Sequence, residues 1–281
     1  MAQRHPAQRS PLRNVADLRG YVIHATDGLI GTVDDLYFDD DAWTIRYFVV
    51  DTGGWLSGRK VLVSPLAIGH PDWLRQQLPA ALTKSQLEHA PSIDTMKPVS
   101  RQQETEYFKY FVYPSYWGGM GLAGMTGYPV GGSAAGPLAA EAIPYASHND
   151  SSSSESHLHS CHAVVGYEVH ATDGALGHVV DFLVDEDTWA IRYVIVETGH
   201  WWAGHQALIT PAWLTAVNWD SRSVSVGVTL QALKGAPPYD AGRQLDRLQE
   251  QSIHEHHGRP AYWPPEARED ADAPSVRRGE P

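Results

Sequence analysis

The sequence predicts an all-β protein built from two small tandem barrels of five to six strands each, with short helices and a flexible linker. Three observations carry the prediction: a long internal repeat in one register, runs of strand-forming residues cut by tight turns, and a Gly-, Pro- and Ser-rich stretch between the copies. Residues 20–65 read GYVIHATDGLIGTVDDLYFDDDAWTIRYFVVDTGGWLSGRKVLVSP and residues 166–211 read GYEVHATDGALGHVVDFLVDEDTWAIRYVIVETGHWWAGHQALITP. They align without a gap at an offset of 146, and half of the positions are identical. The register continues through Leu82-Thr83 on Val228-Thr229, Asp94 on Asp240 and Tyr116-Trp117 on Tyr262-Trp263. Equal loop lengths imply equal turn types, so the chain reads as one unit duplicated.

Within the first copy, a strand near Tyr21–Ala25 runs into Asp27-Gly28, a hairpin signal, and a second strand covers Leu29–Phe38. Asp39-Asp40-Asp41 turns the chain into Trp43–Val50, which is rich in β-branched and aromatic residues. Apolar groups on both of its faces predict a central strand covered on both sides. Thr52-Gly53-Gly54 ends that strand, and Val61–Val63 forms another, stopped by Pro65. In the second copy Val224–Val228 alternates as a strand does, while the matching LPAAL is less regular. Thr83 and Gln86 have capping-box spacing, which places a short helix at Thr83–Glu88. So many short strands with little helix predict closure into a barrel, which removes unpaired sheet edges.

The expected organisation is a flexible N-terminus over 1–13, a first domain over 14–117, a linker over 118–159, a second domain over 160–263 and a disordered tail over 264–281. Hydrophobic residues at 42% are enough for a core. Lys plus Arg total 21 against 33 Asp plus Glu, a net charge of −12, which argues against a nucleic-acid grip. A single cysteine excludes an internal disulfide and a multi-cysteine zinc site. The uncharged run from Tyr110 to Ala140 is too rich in Gly and Pro for a membrane span. With no signal-like segment either, the expected location is the cytoplasm.

The run D-G-x-x-G-x-V-x-D, then W-x-I-R-Y, then T-G and a strand ending in Pro, resembles the PRC-barrel family. The residues are Asp27, Gly28, Gly31, Val33, Asp35, Trp43, Ile45 and Arg46 in the first copy. In the second they are Asp173, Gly174, Gly177, Val179, Asp181, Trp189, Ile191 and Arg192. The resemblance implies a six-stranded, partly open barrel without a cofactor of its own. In the photosynthetic reaction centre H subunit and in the C-terminal domain of the ribosome maturation factor RimM, such a barrel binds protein. The chain lacks the membrane helix of the former and the N-terminal domain of the latter, so neither specific role transfers. Soluble bacterial proteins with two such barrels share its layout.

Candidate sites follow. Asp35 with Arg46, and Asp181 with Arg192, are expected to be structural ion pairs across neighbouring strands. Asp39-Asp40-Asp41 and Asp185-Glu186-Asp187 read as solvated turns rather than calcium loops, because the D-x-D-x-D-G pattern is missing. His157, His159, Cys161 and His162 form the most metal-like cluster, and His254, His256 and His257 a second; no dedicated metal site is assigned to either. Trp55, His200, Trp201, Trp202 and His205 lie on Gly-flanked loops and are candidates for partner contact. His24 and His170 precede the Asp-Gly turns and are expected to bond them. Nucleophile-elbow, P-loop, dinucleotide and zinc-protease motifs are all missing.

The chain therefore reads as a non-enzymatic protein-binding or scaffold protein, with an unidentified protein partner and the two copies packing as a pseudo-dimer or assembling as a homo-oligomer. The alternatives are a metal-binding or metal-responsive protein using the linker histidines, and an accessory subunit or assembly factor of a photosynthetic or electron-transport membrane complex.

Overall fold

The computed structural model describes residues 11–91, 99, 101–114, 157–199 and 204–263. The expected linker up to residue 156, with its run Ser151–Ser154, and the tail beyond Trp263 lie outside the described residues. The first half runs β1 (Leu12–Asn14), α1 (Val15–Leu18), β2 (Val22–Ala25), β3 (Gly28–Asp39), β4 (Thr44–Asp51), β5 (Lys60–Val63), β6 (Gln77–Pro79), α2 (Lys84–Glu88) and α3 (Arg101–Phe111). The second half runs β7 (Leu158–Ser160), α4 (Cys161–Val164), β8 (Glu168–Ala171), β9 (Gly174–Asp185), β10 (Ile191–Thr198), β11 (Gln206–Ile209), β12 (Leu214–Asn218), β13 (Ser223–Val226), α5 (Leu230–Gly235) and α6 (Arg247–His256). Element follows element at the spacing of the sequence repeat except at β12, whose counterparts Ile68 and Asp72 make only isolated bridges.

The strands make two sheets, ordered β5-β4-β3-β2-β6 and β11-β10-β9-β8-β13-β12. All neighbours are antiparallel except β2 with β6 and β8 with β13. The expected closure is not seen among the described residues: β5 does not pair with β6 nor β11 with β12, although Ile68 and Asp72 bridge to Ala80 and Gln77 at the β6 edge. Pro65 and Pro211 each begin a 3-10 turn where β5 and β11 would have to continue, and proline has no N–H to offer a ladder. The edge of β5 is covered by a side chain instead. The Tyr107 hydroxyl donates to the Leu62 carbonyl at 3.0 Å and accepts from the Ser64 N–H at 3.3 Å. That edge is satisfied without a further strand.

Every residue of β4 but the last is buried, so apolar cover lies on both sides of it. One face joins a core that runs through both halves, with Phe38, Phe48, Phe182 and Trp189 in its middle. On the other face Tyr47 and Val49 pack against Tyr107 and Phe108 of α3. The helices α3 and α6, of 11 and 10 residues, exceed the little helix expected. Their buried positions, Glu104, Tyr107 and Phe108, and Glu250, Ile253 and His254, repeat at helical spacing. The expected helix at Thr83 is present, with both capping-box bonds formed.

Trp43 belongs to the turn rather than to the strand after it. It has φ 49°, its counterpart Trp189 has φ 58°, and both side chains are buried. A bulky residue holds this left-handed conformation only where the surroundings impose it. Here the first aspartate of each acidic turn does so. Asp39 accepts from the Ala42 N–H at 2.7 Å, and Asp185 accepts from Asp187 and Thr188 at 3.1 and 2.9 Å.

Gly31 and Gly177 stand where β3 and β9 press on the neighbouring strand. A Cβ at either would lie 2.0 Å from the Asp51 carbonyl oxygen or 1.9 Å from that of Glu197. Gly31→Ala or Gly177→Ala should each lower the unfolding free energy by roughly 3 kcal/mol or more. Gly54→Ala, where a Cβ would meet nothing, should stay within about 0.5 kcal/mol of wild type. Denaturant unfolding of the three variants checks this.

Candidate functional site

The site that sets this molecule apart is the seam between its halves, and strand length creates it. The 12-residue β3 is paired on one side only in part by the four-residue β2, and β9 is likewise left uncovered by β8. The remaining edge of each is taken by the other half. β1 pairs with β9 through Leu12 on Asp185, Arg13 on Val184 and Asn14 on Leu183. β7 pairs with β3 through Leu158 on Asp39, His159 on Phe38 and Ser160 on Tyr37. The segments expected to be a flexible N-terminus and linker thus end in ordered strands, because an unpaired edge in a buried seam must find partners.

Asp35 and Asp181 serve this exchange and do not pair with Arg46 and Arg192. The register puts Asp35 opposite Val49 and Asp39 opposite Thr44, so the diagonal neighbour of Arg46 is Asp39. Arg46 makes its ion pair with Asp39, both fully buried, and Arg192 lies 3.4 Å from Asp185. Asp35 instead accepts from the His162 N–H at 3.2 Å and from the Ser160 hydroxyl, at the start of α4. Asp181 accepts from the Ala16 N–H at 3.1 Å, at the start of α1. Each aspartate thereby caps a helical turn of the opposite half. Burial pushes the Asp35 carboxyl up, opposed by its hydrogen bonds, and takes Asp181 from the ordinary 3.8 to about 6.

A clip secures each arm. The Arg13 guanidinium lies 4.6 Å from the centre of the Trp73 ring and pairs with Glu186 of the other half. His159 stacks on Trp219 at 3.5 Å between ring centres, and its Nε2 lies 3.0 Å from the Asp40 Oδ2 of the other half. These are the same positions of the repeat with one difference: a permanent cation on one arm, an imidazole on the other. The acidic turns thus hold the seam, as Asp39 and Asp185 lock the turns and Asp40 and Glu186 take the arms. At the seam's centre Ile191 N–H donates to the Trp43 carbonyl at 2.7 Å, and Ile45 N–H to the Trp189 carbonyl at 2.9 Å.

Behind each sheet lies a buried glutamate. Glu104 accepts from the Tyr47 hydroxyl at 3.1 Å and lies 2.6 Å from His157 Nε2. Glu250 accepts from Tyr193 at 3.1 Å and Tyr262 at 2.6 Å, with Arg247 3.3 Å away. Burial first, and then Glu250, push both phenols up, so they keep their protons and tie α6 to β10. Sequence reading missed these glutamates, although both pairs, Tyr47 with Glu104 and Tyr193 with Glu250, recur at the repeat offset.

The linker histidines do not converge on a metal. His157 goes to Glu104, His159 to Asp40, and His162 to Arg19 at 3.2 Å. Cys161 is buried, and burial with Asp35 and Asp181 nearby pushes its thiol well up. His254 bonds Tyr193, His256 the Ala232 carbonyl, and burial lowers His257 to about 4. Among the described residues no group of three metal-ligating side chains is assembled. Trp55 packs on its own half: its indole N–H donates to the Ile30 carbonyl and Lys84 lies 4.4 Å over its ring. His205 is exposed just before β11, while His200, Trp201 and Trp202 lie outside the described residues. His24 and His170 do not bond the turns; Asp27 and Asp173 instead accept from Lys84 and Leu230 at the starts of α2 and α5. No described helix is long and apolar enough to cross a membrane.

Two open sheets, each completed by an arm of the other half and backed by a helix that buries a glutamate, define a duplicated, β-rich fold. Residues 13–68 match the family model of the PRC-barrel domain. The chain is also 49% identical over 43 residues to an uncharacterized protein of Deinococcus radiodurans, a match covering 15% of each chain.

Two variants test the seam. His159→Ala removes the ring that stacks on Trp219 and meets Asp40. It should lower the unfolding free energy by about 1–2 kcal/mol in denaturant melts. Asp181 holds its proton more tightly folded than unfolded. Its contribution therefore falls as pH rises from about 4 to 6, by on the order of 2 kcal/mol, and stays lost above that. Asp181→Asn should flatten that slope in thermal melts taken across the interval.

Proposed function

We propose that the chain is a non-enzymatic protein-binding scaffold made of two PRC-barrel domains, the second half being the second such domain. The observation that carries the reading is where the recurring titratable residues go. Asp35, Asp181, Glu104, Glu250, Tyr47 and Tyr193 all point inward and are held by neighbouring protein groups. They fasten the arms and the helices, leaving recognition to the outer surface. Two pockets support the same reading. They occupy matched places, beside Leu62 and Tyr107 in one half and beside Leu208 and Ile253 in the other, and each has room for about one water molecule. The protein-binding role that the family resemblance implies fits a stiff frame of this kind. The segment from Gly199 to His205, where Trp202 adds a tryptophan that the first copy lacks, is the part of the sequence we assign to the partner.

Affinity capture from extracts of the source cell tests this, comparing wild type with Trp202→Ala. Specific proteins should be retained by wild type and depleted at least about tenfold by the variant, with its melting temperature unchanged. Recovery of the same proteins by both, or of none above blank resin, contradicts the proposal.

A further inference from the structure

We infer that the two halves are mutually complementing partners that stay together without the chain joining them. The surface of each half is built to receive one occupant, namely another copy of the same unit bearing an extended Leu–cation–Asn/Ser arm. The contacts are reciprocal. Each half gives an arm and receives one, in equivalent registers at the long strands of the opposite sheet. Each arm buries a leucine, Leu12 at 4% and Leu158 at 5% exposure. In the next residue each offers a cation or an imidazole to an acid of the receiving half, Arg13 to Glu186 and His159 to Asp40. Each is then capped by an aspartate of that half as it turns into a helix, Ala16 on Asp181 and His162 on Asp35. Around the pseudo-axis, the Trp43–Ile191 and Trp189–Ile45 backbone bonds repeat the same pattern, and Phe38 meets Phe182 at 5.9 Å while Phe48 meets Trp189 at 4.9 Å.

This is the pattern of a self-complementary dimer interface, in which a patch meets its own copy. None of these contacts uses residues 115–156. In the intact chain those residues raise the effective concentration of one half for the other. Taken singly, each half leaves part of β3 or β9 unpaired and a leucine-bearing arm in water. The specificity lies in the arm, since the pairing demands a buried leucine, a positively charged or protonatable neighbour and a helix-starting Asn or Ser in succession.

The test keeps the full chain. A protease recognition sequence inserted after Gly132 is cut under native conditions, and the product is followed by size-exclusion chromatography with light scattering at falling concentration. The nicked protein should run as one particle of the intact 31.0 kDa down to about 1 µM, with a melting temperature that now depends on concentration. Halves that part or unfold on cutting overturn the proposal. The nicked Arg13→Ala/His159→Ala variant, which removes the clips and spares the core, should dissociate at concentrations at least about tenfold higher than the nicked parent. Leu12→Asp/Leu158→Asp should exceed that loss. Association as tight as the parent's in both variants would also overturn it, because the arms would then carry none of the recognition.

Discussion

An edge of β-strand buried in a seam must be paired, and in this molecule that requirement organises the rest. β3 and β9 are far longer than the strands their own halves can lay beside them. Among the described residues the opposite arm finishes the ladder. Once the arms cross over, Asp35 and Asp181 have helix starts to cap, and the acidic turns have positive or imidazole groups to meet. The two tryptophans in left-handed backbone mark where the halves touch at the axis, since their carbonyls are the acceptors there.

Charge inside the protein is employed in pairs. The Asp39–Arg46 pair, almost wholly removed from water, repays its desolvation only because the carboxylate also fixes the turn. The two buried glutamates act similarly, Glu104 holding Tyr47 and Glu250 holding Tyr193 and Tyr262, so that each helix is tied to its sheet. Burial is the leading cause of the raised Asp181 carboxyl and of the raised Tyr193 and Tyr262 phenols.

Much of each half was legible in the sequence. Asp27-Gly28, the Thr83–Gln86 cap and the doubly covered strand at Thr44 announce themselves through local turn chemistry and alternation. The repeat offset supplied the correspondence between halves. What sequence could not disclose was pairing between distant segments. Asp35 and Arg46 sit at a plausible cross-strand spacing, yet one register shift between Val33 and Asp35 sets Asp35 opposite Val49, and a second between Tyr37 and Phe38 sets Asp39 opposite Thr44, beside Arg46. The arms read as flexible because three residues carry no periodicity, and their partners lie more than a hundred residues away. The helices α3 and α6 did have a signal, in Asp246 with Gln249 and in buried positions at helical spacing, but polar residues between those positions hid it.

The unequal clips have a meaning of their own. A dimer of identical chains has one gene for both of its arms, so any change at Arg13 would appear twice. With both copies in one chain the two positions can differ. Arginine brings a planar fork of donors to Glu186, and histidine a flat ring that stacks on Trp219. A single polypeptide can therefore fasten the two sides of its seam by different contacts, an asymmetry closed to any pair of identical chains.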